Sequence, residues 1–184
     1  MATLFVDKID PQSGTSLEIG SSGDTITIPS GATMVNNGTQ TGFGGTNTPA
    51  FSVKKSSNQT IADTTTTKME LDSKFFDTDN KYDNSTNYRF TPGVAGKYFL
   101  YATTAFQNFT SNRPITVHIR KNGSSIASFN NINGSYADDF SAVITTIAEA
   151  NTTDYFEAFC FHRGGSSQTM IGSASTFGGY KIIE

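Results

Sequence analysis

The stretch FDTDNKYDNSTNYRFTPGVAGKYFLYATTAF, Phe76 to Phe106, decides how this chain is read. It opens with carboxylates at Asp77, Asp79 and Asp83, spaced like the start of a calcium loop, and closes on a run of aromatics. Counted from Asp77, an EF-type loop needs glycine where Tyr82 stands and a bidentate carboxylate where Tyr88 stands. Lys81 fills a further ligand position. Asp77, Asp79 and Asp83 are therefore candidates only for a nonstandard calcium site, and side chains capping a turn are the ordinary account of them. From Gly96 onward, alternation puts Tyr98, Leu100 and Ala102 on one face and Phe99, Tyr101 and Thr103 on the other. A strand with one solvated face alternates apolar with polar residues. This one is apolar on both faces, so both are expected to be covered.

Residues 155–162 repeat the pattern, with Phe156, Ala158 and Cys160 opposing Tyr155, Phe159 and Phe161. One sandwich has one interior. The second apolar face then calls for another subunit, because exposed aromatic surface of several hundred Å² is an aggregation hazard. Tyr98, Tyr101, Phe159 and Phe161 are the residues expected near that contact.

The wider composition agrees with a strand-built chain. Of 184 residues, 35% are hydrophobic, 16% charged and 12% aromatic, with Ser, Thr, Asn and Gly making up much of the rest. Those four disfavour helix and suit short strands and tight turns. Longer strand patterns begin at Ala50: AFSVKK, KMELDSKFF, NYRFTP, GKYFLYATTAF, PITVHIRK, SSIASF, YADDFSAVITTIA, TDYFEAFCFH and SASTFGGYKII. Between two of them, Lys121-Asn122-Gly123-Ser124 is a hairpin signal, since Asn-Gly supplies the positive φ of a tight turn. The expectation is an all-β sandwich or barrel. A net charge of −3 without a basic stripe argues against nucleic acid. No window is apolar enough for a membrane-spanning helix. No secretory signal is read, and the single Cys160 forms no internal disulfide, so synthesis in a cytoplasm is expected.

Residues 14–45 follow a different logic. They divide into rungs of about eight residues, TSLEIGSSG, DTITIPSG, ATMVNNG and TQTGFGG, each with a small apolar pair before a turn. One rung buries too little to offset backbone ordering of roughly 1–2 kcal/mol per residue. Three chains sharing an axis would supply the missing partners. The organisation expected is an N-terminal attachment arm at 1–13, a trimeric β stem with its linker at 14–49, and a head domain at 50–184.

Catalytic chemistry is thinly represented. His118 falls opposite the apolar Ile115, Val117 and Ile119, which makes it a solvent-side strand residue. His162 is expected to enter a loop. Cys160 and His162 share a strand face, but neighbouring same-face positions lie nearly 7 Å apart, and a packed thiol is the simpler role. Asp138 and Asp139 are adjacent, hence on opposite faces, which does not suit a glycosidase pair. No enzyme and no cofactor is expected. Recognition is expected on loops: Phe109 and Arg113 in 107–113, Tyr136 in 130–136, and His162, Arg163 and Gln168 in 162–168. Aromatic faces beside amide and guanidinium donors suit a carbohydrate.

The series AFSV, YD, YRFTPGVAGKYFLYA, IRKNGSSIA, DDFSAVITTI, TDYFEAF and STFGGYKI resembles the jelly roll of the complement globular-head and tumour-necrosis-factor superfamily, over about 130 residues. The departure is Thr153-Asp154, where that family prefers Gly-Asp, followed by Phe156 instead of Val. The resemblance implies a ten-strand jelly roll that trimerises through one aromatic-rich sheet face. LFVDKIDPQSGTSLEIGSSGDTITIPSGATM is similar to the segments at which bacteriophage tail-fibre shafts begin, particularly those of marine and cyanobacterial phages. Together they imply a homotrimeric virion fibre or spike, joined to other virion proteins by its N-terminal region and meeting a host glycan or protein with its head. A capsid decoration protein and a polysaccharide depolymerase are the alternatives.

Overall fold

A computed structural model describes residues 9, 11, 13–38, 47–134 and 138–183. Contacts divide the chain into two units, 1–43 and 44–184. In the first, no strand forms among the described residues, and Leu17, Ile19, Ile26, Ile28 and Met34 stand exposed. A single chain offers these pairs nothing to pack against. The turns between them do form. Asp24 N–H donates to the Ser21 carbonyl and Ala32 N–H to that of Pro29, eight residues further on. Gly23 and Gly31 take φ of +94° and +85° at the third position of each turn, where side chains are strained.

The second unit carries thirteen strands among its described residues. They begin with β1 (Ala50–Lys54), β2 (Gln59–Ile61), β3 (Thr67–Lys68), β4 (Ser73–Asp77), β5 (Tyr82–Asp83) and β6 (Arg89–Phe90). Then follow β7 (Gly96–Phe109), β8 (Pro114–Lys121), β9 (Ser124–Ile132) and β10 (Asp138–Ala150). β11 (Phe156–His162), β12 (Gln168–Met170) and β13 (Thr176–Lys181) complete the set. In the first sheet β10 pairs with β7, β7 with β13, β13 with β1 and β1 with β4, while β12 and β2 continue it past Phe106. The second sheet runs β5-β6-β11-β8-β9, with β3 also on β11. Every pairing is antiparallel.

Period-two patterning builds the core between these sheets. Tyr98, Leu100 and Ala102 of β7 face Ile115, Val117 and Ile119 of β8 and Phe156, Ala158 and Cys160 of β11, all buried. Phe51 stacks on Phe90 at 4.1 Å and meets Phe177 edge-on at 5.0 Å. Burying one such ring contributes about 1.5–3 kcal/mol. The segment read as one strand, 68–76, is divided between sheets. Lys68 pairs with β11 in the second sheet, Ser73–Asp77 pairs with β1 in the first, and Met69 and Leu71 are buried at the crossing.

The expected hairpin closes β8 onto β9, with φ of +51° at Asn122 and +80° at Gly123. Asn122 also pins the next turn: its Nδ2 donates to Asp154 Oδ1 at 2.7 Å, and its Oδ1 accepts the Tyr155 N–H. Lys121 Nζ lies 2.8 Å from the other Asp154 oxygen. The Lys121 ammonium, with the Asn151 N–H and the Asn122 amide, holds the Asp154 carboxyl down at about 2. Thr153-Asp154 therefore makes a well-bonded turn without glycine.

Candidate functional site

The outward side chains of β10, β7 and β13 form rows set by strand register. Ile147, Phe99 and Tyr180 stand side by side, with Thr145, Tyr101 and Gly178 in the next row and Val143, Thr103 and Thr176 in the third. Ile147 is 62% exposed and Val143 52%, with Tyr180 also exposed. Phe99 packs on Tyr180 at 5.4 Å. At the far edge, a bulge in the β1–β4 pairing leaves both Phe75 and Phe76 exposed. Tyr101 lies across Gly178 and its hydroxyl meets Ser52 Oγ at 2.8 Å. A Cβ on Gly178 would stand 2.4 Å from that hydroxyl, so only glycine lets the ring lie flat. The result is an uncharged, mainly apolar face with an aromatic anchor and threonines among its rows.

Of the four residues expected near a subunit contact, only Tyr101 belongs to this face. Tyr98 is fully buried between Phe90 and Phe156, its hydroxyl donating to the Val94 carbonyl at 2.7 Å. Its parity on β7 is that of Leu100, which points into the core. Phe159 and Phe161 face outward from the other sheet, and cations cover them. The Arg120 guanidinium lies 4.1 Å from the Phe159 ring and that of Arg163 5.7 Å from the Phe161 ring. Arg120 lies close over Phe159, whereas Arg163 stands further from Phe161, which lines a groove.

The expected recognition residues separate in the same way. Phe109 is fully buried, because β7 continues three residues past Phe106 and Asp138 pairs opposite it. Its ring meets Phe106 at 5.5 Å and His162 at 5.9 Å. His162 stays within β11 and is also fully buried. Gly164 N–H donates to its Nδ1, leaving Nε2–H to bond the Ile61 carbonyl at 3.0 Å. Neither Phe109 nor His162 is available to a receptor. Arg113 and Arg163 are exposed and Gln168 half-buried at the start of β12, while Tyr136 lies outside the described residues.

The acidic candidates are turn-capping groups. Asp77 accepts the Lys81 and Tyr82 N–H groups and pairs with Lys74 at 2.8 Å. Asp83 accepts the N–H groups of Ser85, Thr86 and Asn87, which together hold its carboxyl well below the usual range, with Thr86 contributing most. Asp79 is exposed on the loop between them. The Asp77 and Asp83 oxygens serve the backbone, an Asp79 oxygen meets the Thr78 hydroxyl, and no metal-type cluster of His, Cys, Asp or Glu occurs among the described residues. Cys160 is buried, its Sγ 4.0 Å from Met170 Sδ, and burial pushes its thiol up to about 12. It is packing material, not a nucleophile.

No protein-family model and no curated protein matches this sequence. Solved structures do match the fold. The globular domain of the zebrafish complement 1qA protein superposes with a TM-score of 0.56 at 18% identity, over 73% of this chain and 97% of that one. Eiger TNF from S. frugiperda gives 0.55 at 8% identity, over 72% and 91%. Murine APRIL gives 0.54 at 11%, over 72% and 98%. The all-β jelly roll implied by the motifs around Phe90, Tyr98 and Phe177 is thus the fold of this chain.

Proposed function

We propose that the chain is a homotrimeric structural and recognition protein of fibre or spike type, its heads joined through the outer face of the first sheet. The observation carrying this reading is the apolar row Ile147–Phe99–Tyr180, extended by Val143 and Tyr101. An apolar face continuous across three strands and bare to water is unusual for a monomer. Three-fold assembly is favoured by the sequence similarity of residues 88–102 and 175–182 to a trimerising family. The virion setting rests on the similarity of the N-terminal segment to phage fibre shafts, and the two turns eight residues apart suit such a repeat. In this reading the N-terminal region attaches to other virion proteins, the head meets a host-surface glycan or protein, and no catalysis is performed. Light scattering should give about three times the 19.8 kDa chain mass, and labelled antibody should decorate the tail of intact particles. A folded monomer at micromolar concentration would sink the assembly, and label on the capsid shell would favour a decoration role.

A further inference from the structure

On the outer side of the second sheet, a groove of about 380 Å³ is lined by Thr116, His118, Asn130, Phe161 and Arg163. Register explains why these residues meet. Phe161, Thr116 and Asn130 stand side by side across β11, β8 and β9, with Phe159, His118 and Ser128 in the next outward row. Its size falls near the lower end of small-ligand sites, about 300–1,000 Å³, and fits one or two sugar rings.

Two polar atoms on this face lack partners. His118 Nδ1 and Arg120 Nε are buried and bond to no protein atom. Buried polar groups are nearly always paired, so the orphan His118 nitrogen in the lining of a groove points to a ligand that completes it. The charges lean the same way. Lys68 is neutralised by Glu157, whereas neither Arg120 nor Arg163 has a carboxylate partner among the described residues. A chain of net charge −3 thus holds a locally cationic face. Burial, with Arg120 nearby, lowers the His118 pKa, keeping its ring a neutral hydrogen-bonding group.

The groove offers an aromatic ring for a C–H face, single hydrogen-bonding groups for hydroxyls, and the unpaired Arg163 guanidinium for an acid. The geometry points to a binding site for an anionic saccharide, its ring on Phe161, its hydroxyls on Thr116, His118 and Asn130, and its acid group on Arg163. The inference deepens the surface-recognition reading above and rests on it for the ligand's origin. It moves recognition from loop tips to a sheet face.

Calorimetric titration of the full-length protein with trigalacturonate, a κ-carrageenan disaccharide and maltotriose tests it. At least one acidic probe should bind, the responding one distinguishing carboxylate from sulfate, and maltotriose should not. Arg163→Ala, at an exposed position, should weaken binding about tenfold or more, and His118 ring resonances should shift on saturation. Equal binding of maltotriose, no binding of either acidic probe, or undiminished affinity in Arg163→Ala would overturn the site. Particle adsorption that survives Arg163→Ala would overturn it while leaving the fibre reading intact. A monomeric chain that binds an acidic probe would do the reverse.

Discussion

On the outer side of the first sheet, Ile147, Phe99 and Tyr180 present mainly hydrocarbon, and the hydroxyl of Tyr101 in the next row is bound to Ser52. On the outer side of the second, Phe159 and Phe161 are as aromatic, yet Arg120, Lys68 and Arg163 lie over them. Both sheets share one core and one alternation rule. What differs is which side chains the neighbouring strands bring into register. On β7 the flanking positions are Ile147, Val143 and Tyr180; on β11 they are His118, Arg120 and Lys68. An aromatic strand residue therefore does not reveal whether it awaits a subunit or a ligand. Its cross-strand partners do.

The sharpest way to break this comparison is to charge the first face alone. Ile147→Glu should convert the assembly to monomers at micromolar concentration, read by sedimentation, while the head stays folded. Survival of the assembly would place the contact elsewhere. A smaller effect is expected from Gly178→Ala, whose Cβ displaces the Tyr101 ring and breaks its bond to Ser52. Overpacking of this kind costs about 1–3 kcal/mol, visible as a lower urea midpoint together with weaker assembly.

The second sheet is probed through Asp154. Its folded pKa, about 2, lies below the ordinary 3.8, so its contribution is present above pH ~4 and lost as pH falls through ~2. Asp154→Asn should therefore unfold at lower urea than the parent at pH 7, with the gap closing by pH 2. A gap independent of pH would mean that the carboxylate charge does not matter. The smallest effect should follow deletion of residues 1–49. The number of subunits and the urea midpoint should remain those of the full assembly, and a fall to monomer would show that the N-terminal segment holds the chains together.

Much of the head could be read from residues alone. The hairpin at Asn122-Gly123, the core parity of Ile115, Val117 and Ile119, and the buried inner face of β11 all follow from local rules of turn and alternation. What escaped was set by distant chain. Phe109 looked like a loop residue because its strand is prolonged only by pairing with Asp138, twenty-nine positions later. His162 looked like a strand end, yet the Ile61 carbonyl, a hundred and one residues earlier, fixes it in the core. Lys68 and Phe76 look like the ends of one strand, but the two sheets divide that segment and each takes one end. The groove beside His118 was illegible for the same reason, since Asn130, Thr116 and Phe161 come from three strands.

The placement of β1 has a mechanical consequence. It lies inside the first sheet, hydrogen-bonded to β13 on one side and β4 on the other, and the preceding chain joins it at Ala50. A pull applied ahead of Ala50 against a head held at the opposite end of the sheet runs along the strand and loads both ladders at once, so they shear together instead of peeling bond by bond. Because Ala50 pairs with Tyr180 near the other chain end, a pull between the two termini instead opens the β1–β13 ladder bond by bond, and optical-trap extension in the two geometries should give a high rupture force in the first and a low one in the second.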